Sequence, residues 1–546
     1  MIEHTDVAIV GGGLAACAAA VEAAKYGVRV TLLDKGVLGR SGSSCTAGGG
    51  FSFARPRQDS DTLDAAKGRH AAATIAAGEG MNDPRLVEVL VEDAVRRVPE
   101  LEYLGLRFGR DERGRILATL APAHDEPRTS SPQGGGPVLM DAFRREVLHR
   151  RVRVLEKVMV ARLFASEGCI AGLYALPTDE GNPVVLAAPA VILAAGSATR
   201  LYPLASANYQ TTGDAYGLAW PLGLRFANME FNEFTLIPKV GRAVIATPGI
   251  SALMAAGSHL INAQGERFMP RYDPERAEMT TRARLVQAVV LESLAGRGPI
   301  WNDSMAIPEE VRERFLREDW EVVDKLRSAG LRLPEERFEW VPATHLCLGG
   351  LIIDADGATD LAGLYAVGEA ATGVHGANRL SGNALSECLV FGIRAGRAAA
   401  LRAMAAGPTE IPKAQIVAFE REVQVLLAGD GPTPAEWQQA VRQAAWEGIG
   451  VVRTAAGLRK AAETFEALFA ERPRCASRQD VVQALETRHL VLTGRLVARA
   501  ALLRTESRGQ HLRQDYPERS SGWCRWVVLR QDGREIRATV EPVGGA

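Results

Sequence analysis

Four apolar positions, Val7 to Val10, run into Gly11-Gly12-Gly13 and then into an alanine-rich stretch from Leu14 to Lys25 that stops at Gly27. That order predicts a buried strand, a tight turn and a helix. A second apolar run, Val28 to Leu33, ends in Asp34. Gly11 permits the turn, Gly13 lets the backbone come close to a phosphate, and small Ala16 lets the helix lie close on its strand. A pyrophosphate placed there would meet free amides and the positive end of a helix dipole. Asp34 stands where a carboxylate accepts hydrogen bonds from ribose hydroxyls. Glycine-rich turns also close ordinary strand-to-helix links, so the surrounding unit, rather than the glycines alone, carries the dinucleotide reading.

Helical periodicity covers Pro84 to Leu104 and Leu139 to His149, followed by the strand-like Val152 to Leu155 and the apolar run Ala188 to Ala195, which stops at Gly196. A buried parallel strand ending in glycine lies where ligands sit, at the carboxyl edge of a sheet. Gly39 to Gly50 is too rich in glycine and serine for a core element, and reads either as a wrap around a cofactor or as a surface loop. From about Met229 to Pro342 the pattern breaks into short irregular pieces, with helices near Thr280 to Leu294 and Pro308 to Ala329. Leu364 to Ala370 then repeats the strand-to-glycine pattern, and Asn383 to Ala405 reads as a long helix. Lys413 to Leu503 is amphipathic and helical, and a polar tail with Trp523 and Trp526 closes the chain. No internal repeat or low-complexity tract interrupts it.

These elements predict an α/β protein: a Rossmann-like dinucleotide-binding domain in two parts, 1–228 and 343–405, an inserted α+β capping domain at 229–342, and a C-terminal helical domain with its tail at 406–546. A chain of 546 residues that is 47% hydrophobic and 24% charged is globular rather than disordered. Its 64 basic and 65 acidic side chains give no overall attraction to nucleic acid or an anionic membrane. Seven cysteines without a Cys-x-x-Cys pair argue against an iron–sulfur or zinc site within the chain. The first strand begins within the first ten residues, leaving no space for a secretory signal. No apolar run reaches the roughly 18 residues of a membrane span, so a cytoplasmic protein is expected.

Several separated motifs resemble one family: Thr212-Gly213-Asp214, Gly265 to Met269, Leu364 to Ala370, His375 to Leu380, Glu387 to Gly392 and Arg504 to Gly509. The chain is identified as similar to the flavoprotein subunits of succinate dehydrogenase and fumarate reductase and to L-aspartate oxidase. The resemblance implies bound FAD. Its contacts would include Gly11, Gly13, Leu14, Ala15, Ala16, Asp34 and Lys35. Ser41, Ser43, Thr46, Ala47 and Gly48 would join them from the glycine-rich segment, and Asp214, Glu369, Arg379, Ala384 and Leu385 from further along the chain. Amides at Ala384 and Leu385 begin a helix, whose N-terminus stabilises negative charge on a reduced flavin. Ser43 matches the histidine that tethers flavin covalently in membrane-bound members, so noncovalent FAD is expected.

For chemistry the resemblance implies Arg282, His345 and Arg379. Arg282 would carry a proton to or from carbon; its high pKa lets it act only on a strongly basic, desolvated partner. Arg379 would clamp a carboxylate through two parallel hydrogen bonds, with His345 donating to the same anion. On the residues alone, the favoured reading of Arg282 is one solvated arginine among neighbours such as Arg276 and Arg284, and of His345 a core histidine; the catalytic roles come from the resemblance.

Two segments depart from the family's pattern. Glu233 to Pro238 stands in place of Gln-Phe-His-Pro-Thr, and the region of Gly249 to Ala252 lacks the Thr-Glu-Gly turn. Polar partners for one end of a four-carbon diacid are therefore absent, and succinate and fumarate are not the expected substrates. Ala121 to Arg128 lacks the glutamate- and histidine-containing loop of L-aspartate oxidase. The expected activity is flavin-dependent oxidation or reduction of a small anionic substrate. The alternatives are an L-aspartate oxidase-like amino acid oxidase, or a flavin electron-transfer subunit working with an iron–sulfur protein. An oligomer is compatible with all three.

Overall fold

A computed structural model describes residues 2–57, 61–120, 124–245, 250–317 and 321–544. Its first sheet has five parallel strands, β1 (Val7–Val10), β2 (Val30–Asp34), β3 (Arg153–Glu156), β4 (Ala190–Leu193) and β5 (Leu364–Ala366), in spatial order β5-β4-β1-β2-β3. All but β3 are buried along their whole length, as a sheet covered on both faces requires. The chain leaves β1 towards β2 on one side and returns through β4 on the other, so a crevice opens at the carboxyl ends of β1 and β4. Helix α1 (Leu14–Ala24) follows β1 and packs on α2 (Asn383–Ala406). Side chains at Gly392 and Gly396 would put a Cβ within 2.6 Å of the Ala15 carbonyl and 2.4 Å of the Ala19 carbonyl, so the two backbones meet only because both positions are glycine.

The region read as irregular in fact contains a long antiparallel ladder. Asn232–Val240 pairs with Glu339–Cys347, and the register shifts between Glu233 and Phe234. The second strand runs straight through Pro342. The first is buried over its first seven positions, so the polar alternation that marks a half-exposed strand is missing. Helix Arg282–Leu294 lies against this ladder, started by Thr281, whose hydroxyl accepts from the Arg284 amide. Within the helix expected over Pro308 to Ala329, Glu309–Arg317 and Glu321–Ser328 are helical, and residues 318–320 lie outside the described residues.

Helices Lys413–Leu427, Pro434–Ile449, Ala455–Ala470 and Arg478–Leu503 follow. Capping boxes start the second and fourth of these, Thr433 with Glu436 and Ser477 with Asp480. The tail is not a polar appendage but a β-hairpin, Arg525–Asp532 with Glu535–Pro542, that adds to the short strand Phe226–Ala227 and buries Trp526 to 1% exposure. The Arg504 to Gly509 motif is a buried ion chain. Arg504 donates to Glu230 at 2.6 Å and to Glu506 at 3.0 Å, and Glu506 also accepts from Arg508 at 2.7 Å. Among the described residues no helix is long and apolar enough to cross a membrane.

Candidate active site

Two adjoining cavities open at the crevice, and Ser43, Ser44, Glu369 and Cys388 line both. The first, of about 780 Å³, is bounded by Gly11 to Ala15, Asp34, Lys35, Ser41 and Asp214. Gly11 sits at φ +119°, and a Cβ there would stand 2.3 Å from the Ala194 carbonyl oxygen. Gly12, for which the motif suggests no role, is crowded by a side chain rather than by backbone, since its Cβ would stand 2.0 Å from the Asp34 carboxylate as that group lies in the fold. Gly13 keeps its space open, with only Ser44 Oγ within reach of a Cβ. Ala16 is the exception among the expected contacts. It lines neither cavity and is wholly enclosed in the core, because it lies on the face of α1 turned away from the turn.

Charged groups at this cavity are already paired. Asp34 accepts from Ser41 Oγ and from the Gly36 amide, and burial pushes its carboxyl up, opposed by those hydrogen bonds. Lys35 Nζ lies 2.7 Å from Asp214 and 2.6 Å from Glu486, and Asp214 also pairs with His489 at 3.0 Å. Glu369 accepts from Ser197 Oγ at 2.5 Å and from the Cys347 amide at 3.0 Å. Burial outweighs these bonds and lifts its carboxyl from 4.5 to about 7. The folded state therefore holds this proton more tightly than the unfolded chain. The resulting stability is complete below pH 4.5 and is lost as pH rises through 7. In flavin-free protein, Glu369→Gln is expected to be more stable than wild type at about pH 8, by on the order of 3 kcal/mol, and no more stable near pH 4.5; urea unfolding at the two pH values checks this.

The second cavity, of about 1270 Å³, is lined by Thr46, Ala47 and Gly48, by Ala384 and Leu385 at the start of α2, and by Arg282, His345 and Arg379. Gly382 caps α2 at φ +83°, while Asn383 is fixed by His70 at 2.9 Å and Thr74 at 2.9 Å, so the first amides of the helix are held at the cavity wall. The three expected catalytic side chains come together. Their meeting point is a residue the sequence marked only as a departure, Glu233. Arg379 donates from Nε at 3.1 Å and from Nη2 at 3.0 Å to the two oxygens of Glu233, and Arg282 Nη1 donates to the same carboxylate. Burial alone would raise the Glu233 carboxyl; the charges of Arg379 and Arg282 overcome it and bring it to about 2. Burial lowers the Arg282 guanidinium from its ordinary value, against the pull of Glu233 and aided by the like charge of Arg379. His345 is neutral, pushed to about 3 by burial and then by Arg282, and its Nδ1 lies 2.7 Å from Ser206 Oγ. Arg276 is exposed and Arg284 points outward to Asp273 at 3.8 Å, so neither competes with Arg282.

His375 and Glu387, paired at 2.8 Å, also line this cavity and were missed, because the motifs containing them suggest no role for either. Glu126, in the loop that departs from L-aspartate oxidase, is held by Arg128, Arg57 and Arg69 and lines neither cavity. Ala121, Pro122, Ala123 and Gly249 lie outside the described residues.

The residues present fit a flavin dinucleotide. The glycine cradle tolerates no side chain at Gly11, and Ser43 Oγ is buried at the junction of the two cavities without a hydrogen-bond partner. Comparison with known proteins agrees. The family model described as FAD binding domain matches residues 6–385, and that described as fumarate reductase flavoprotein C-term matches residues 438–544. The chain belongs to the fumarate reductase and L-aspartate oxidase flavoprotein family. It is 33% identical to one of the subunits of the fumarate reductase (CoM/CoB) of Methanothermobacter marburgensis, over 96% of this chain and 97% of that one. It is 34% identical to the L-aspartate oxidase of Caulobacter vibrioides, over 96% of each. A solved structure of an E. coli quinol fumarate reductase FrdA variant superposes with a TM-score of 0.91 at 26% identity, covering 100% of this chain and 97% of that one. The flavoprotein is thus an FAD-dependent oxidoreductase with a Rossmann-like cofactor domain and a helical C-terminal domain.

Proposed function

We propose that the flavoprotein oxidises or reduces a small carboxylate substrate, with Arg282 as proton carrier and Arg379 and His345 as binding groups. FAD, when bound, supplies the hydride-exchanging ring. The observation that carries this reading is the convergence of Arg282, His345 and Arg379, from three distant segments, on one buried carboxylate beside the cofactor cavity. Glu233 orients both guanidiniums before substrate arrives, which lowers the entropy cost of positioning it. Arg282 lines the cavity, so its guanidinium can meet a reacting group there, and its Nε is left without a partner in the fold. Ser206 Oγ pairs with Nδ1 of His345, which leaves Nε2 as the ring nitrogen free for a substrate carboxylate. The N-terminus of α2 adds a favourable field for negative charge.

Ser43 offers no imidazole for a covalent tether, so FAD is held noncovalently; acid precipitation should leave all flavin in the supernatant, and yellow protein in the pellet would refute this. The electron partner we propose is a separate iron–sulfur protein, a reading supported by the match to the fumarate reductase flavoprotein C-term model and to one subunit of a fumarate reductase. Anaerobic mixing with saturated and unsaturated carboxylates, and with L-aspartate, tests the reading. Reduction of the flavin by an acid, or its reoxidation by an enoate, is the expected result. Reduction by L-aspartate would favour the amino acid oxidase reading, to which the Caulobacter relative points. A flavin that responds to a copurifying iron–sulfur protein and to no small molecule would reduce the chain to electron transfer.

A further inference from the structure

Counting charges where the substrate would lie gives an unexpected balance. Arg282 and Arg379 contribute two positive charges, Glu233 removes one, and His345 is neutral. Two donors of the Arg379 fork, Nε and Nη2, are taken by Glu233. The remaining N–H groups of both guanidiniums and His345 Nε2 line the cavity, but between Arg282, Arg379 and Glu233 only one net positive charge is left, the counterpart of one carboxylate. The other carboxylates of the cavity, Glu369 and Glu387, add no positive charge.

Past the same two guanidiniums lies a third cavity, of about 560 Å³, walled by the apolar Ile250, Met254, Leu285 and Leu380 and by the uncharged polar side chains of Thr280, Thr281, Asn378 and Ser381. Among the described residues its one carboxylate, Glu278, is held by Arg267, and its lining offers no cation besides Arg282 and Arg379. A second anionic group on a substrate would find no cation there beyond the two that Glu233 already neutralises in part, and a charge left without a counter-ion in a desolvated site is costly. On the same strand as Glu233 and two residues further on, Thr235 has its hydroxyl buried and unpartnered, and supplies no charge.

We propose that Glu233 sets the charge of the accepted substrate, so that the site takes a carboxylate bearing a single negative charge with an uncharged remainder and discriminates against dicarboxylates. The inference rests on the reading of this cavity as a carboxylate-binding active site. Glu233 is a specificity-determining residue here. It acts through the two arginines that it neutralises in part.

The test is titration of the oxidised, FAD-loaded protein with butyrate and crotonate against succinate and malonate, following the flavin absorbance difference. Wild type is expected to bind the monocarboxylates more tightly, by about tenfold or more. Glu233→Gln, of the same shape without the charge, should shift the ratio towards dicarboxylates by about tenfold or more, while Glu233→Asp keeps the wild-type preference. Flavin content reports whether each variant is folded, and the wild-type ratio decides the matter even if Glu233→Gln loses its flavin. Dicarboxylates binding wild type as tightly as monocarboxylates would overturn this inference and leave the carboxylate-site reading intact. A ratio unmoved in a flavin-loaded Glu233→Gln protein would also overturn it. Silence of the flavin towards both classes would remove the carboxylate-site reading and this inference with it.

Discussion

Arg282→Lys keeps its full complement of flavin and turns over about 10²- to 10⁴-fold more slowly, the span associated with losing a positioned general acid. Flavin content is preserved because Arg282 lines the second cavity and not the one bounded by the glycine turn. A lysine ammonium supplies one charge at one point. It cannot hold Glu233 through one nitrogen while presenting a separate N–H to the substrate, as the Arg282 guanidinium does. The loss falls on the chemical step, because Arg379 still pairs with Glu233 at 3.0 Å and keeps that carboxylate from being stranded in the core. Stability should therefore fall by only about 1 to 2 kcal/mol, less than the roughly 3 to 5 expected when a buried charge loses every partner. Anaerobic stopped-flow of flavin absorbance measures the step. An unchanged rate constant would assign the proton to another residue.

Gly11→Ala gives protein without flavin. The residue sits at φ +119°, outside the range of an L side chain, and a methyl there would lie 2.3 Å from the carbonyl oxygen of Ala194, the buried residue just past the end of β4. The turn must open to make room, which moves the amides that start α1 away from the pyrophosphate and costs about 3 kcal/mol or more of stability. Gly27→Ala is the control. Its φ is also positive, +73°, but nothing stands within 4 Å, so it should cost about 1 to 2 kcal/mol and keep its flavin. Absorbance at the flavin band after saturation with FAD, together with thermal unfolding, separates the two. A yellow Gly11→Ala protein would mean that the turn does not hold the phosphates.

What could be read before the fold was known follows the range of the forces involved. The glycine turn, Asp34 and the start of α2 are dictated by neighbours in the chain, and the glycine conformations bear that reading out. Gly12 escaped notice because the group that crowds it, on Asp34, belongs to the next strand. The ladder of Asn232–Val240 with Glu339–Cys347 escaped because its partners lie about a hundred positions apart and one of them is buried without alternation. Glu233 is the instructive case. In the sequence it is the first position of a segment that departs from the family's pattern; in space it is the counter-ion of arginines 49 and 146 positions away. The hairpin at the chain end was hidden likewise, since Trp526 to Leu529 are buried by elements far upstream.

Lys35 and Asp214 at the dinucleotide cavity are steadied from behind by Glu486 and His489, both on the helix Arg478–Leu503. The last quarter of the molecule is therefore structural backing for the glycine-turn side of the crevice rather than a detachable appendage. A shortened form ending ahead of Ser477 would leave an ammonium and a carboxylate to rearrange into the space meant for the prosthetic group. Loss of colour would then be the earliest sign of damage at the far end of the chain.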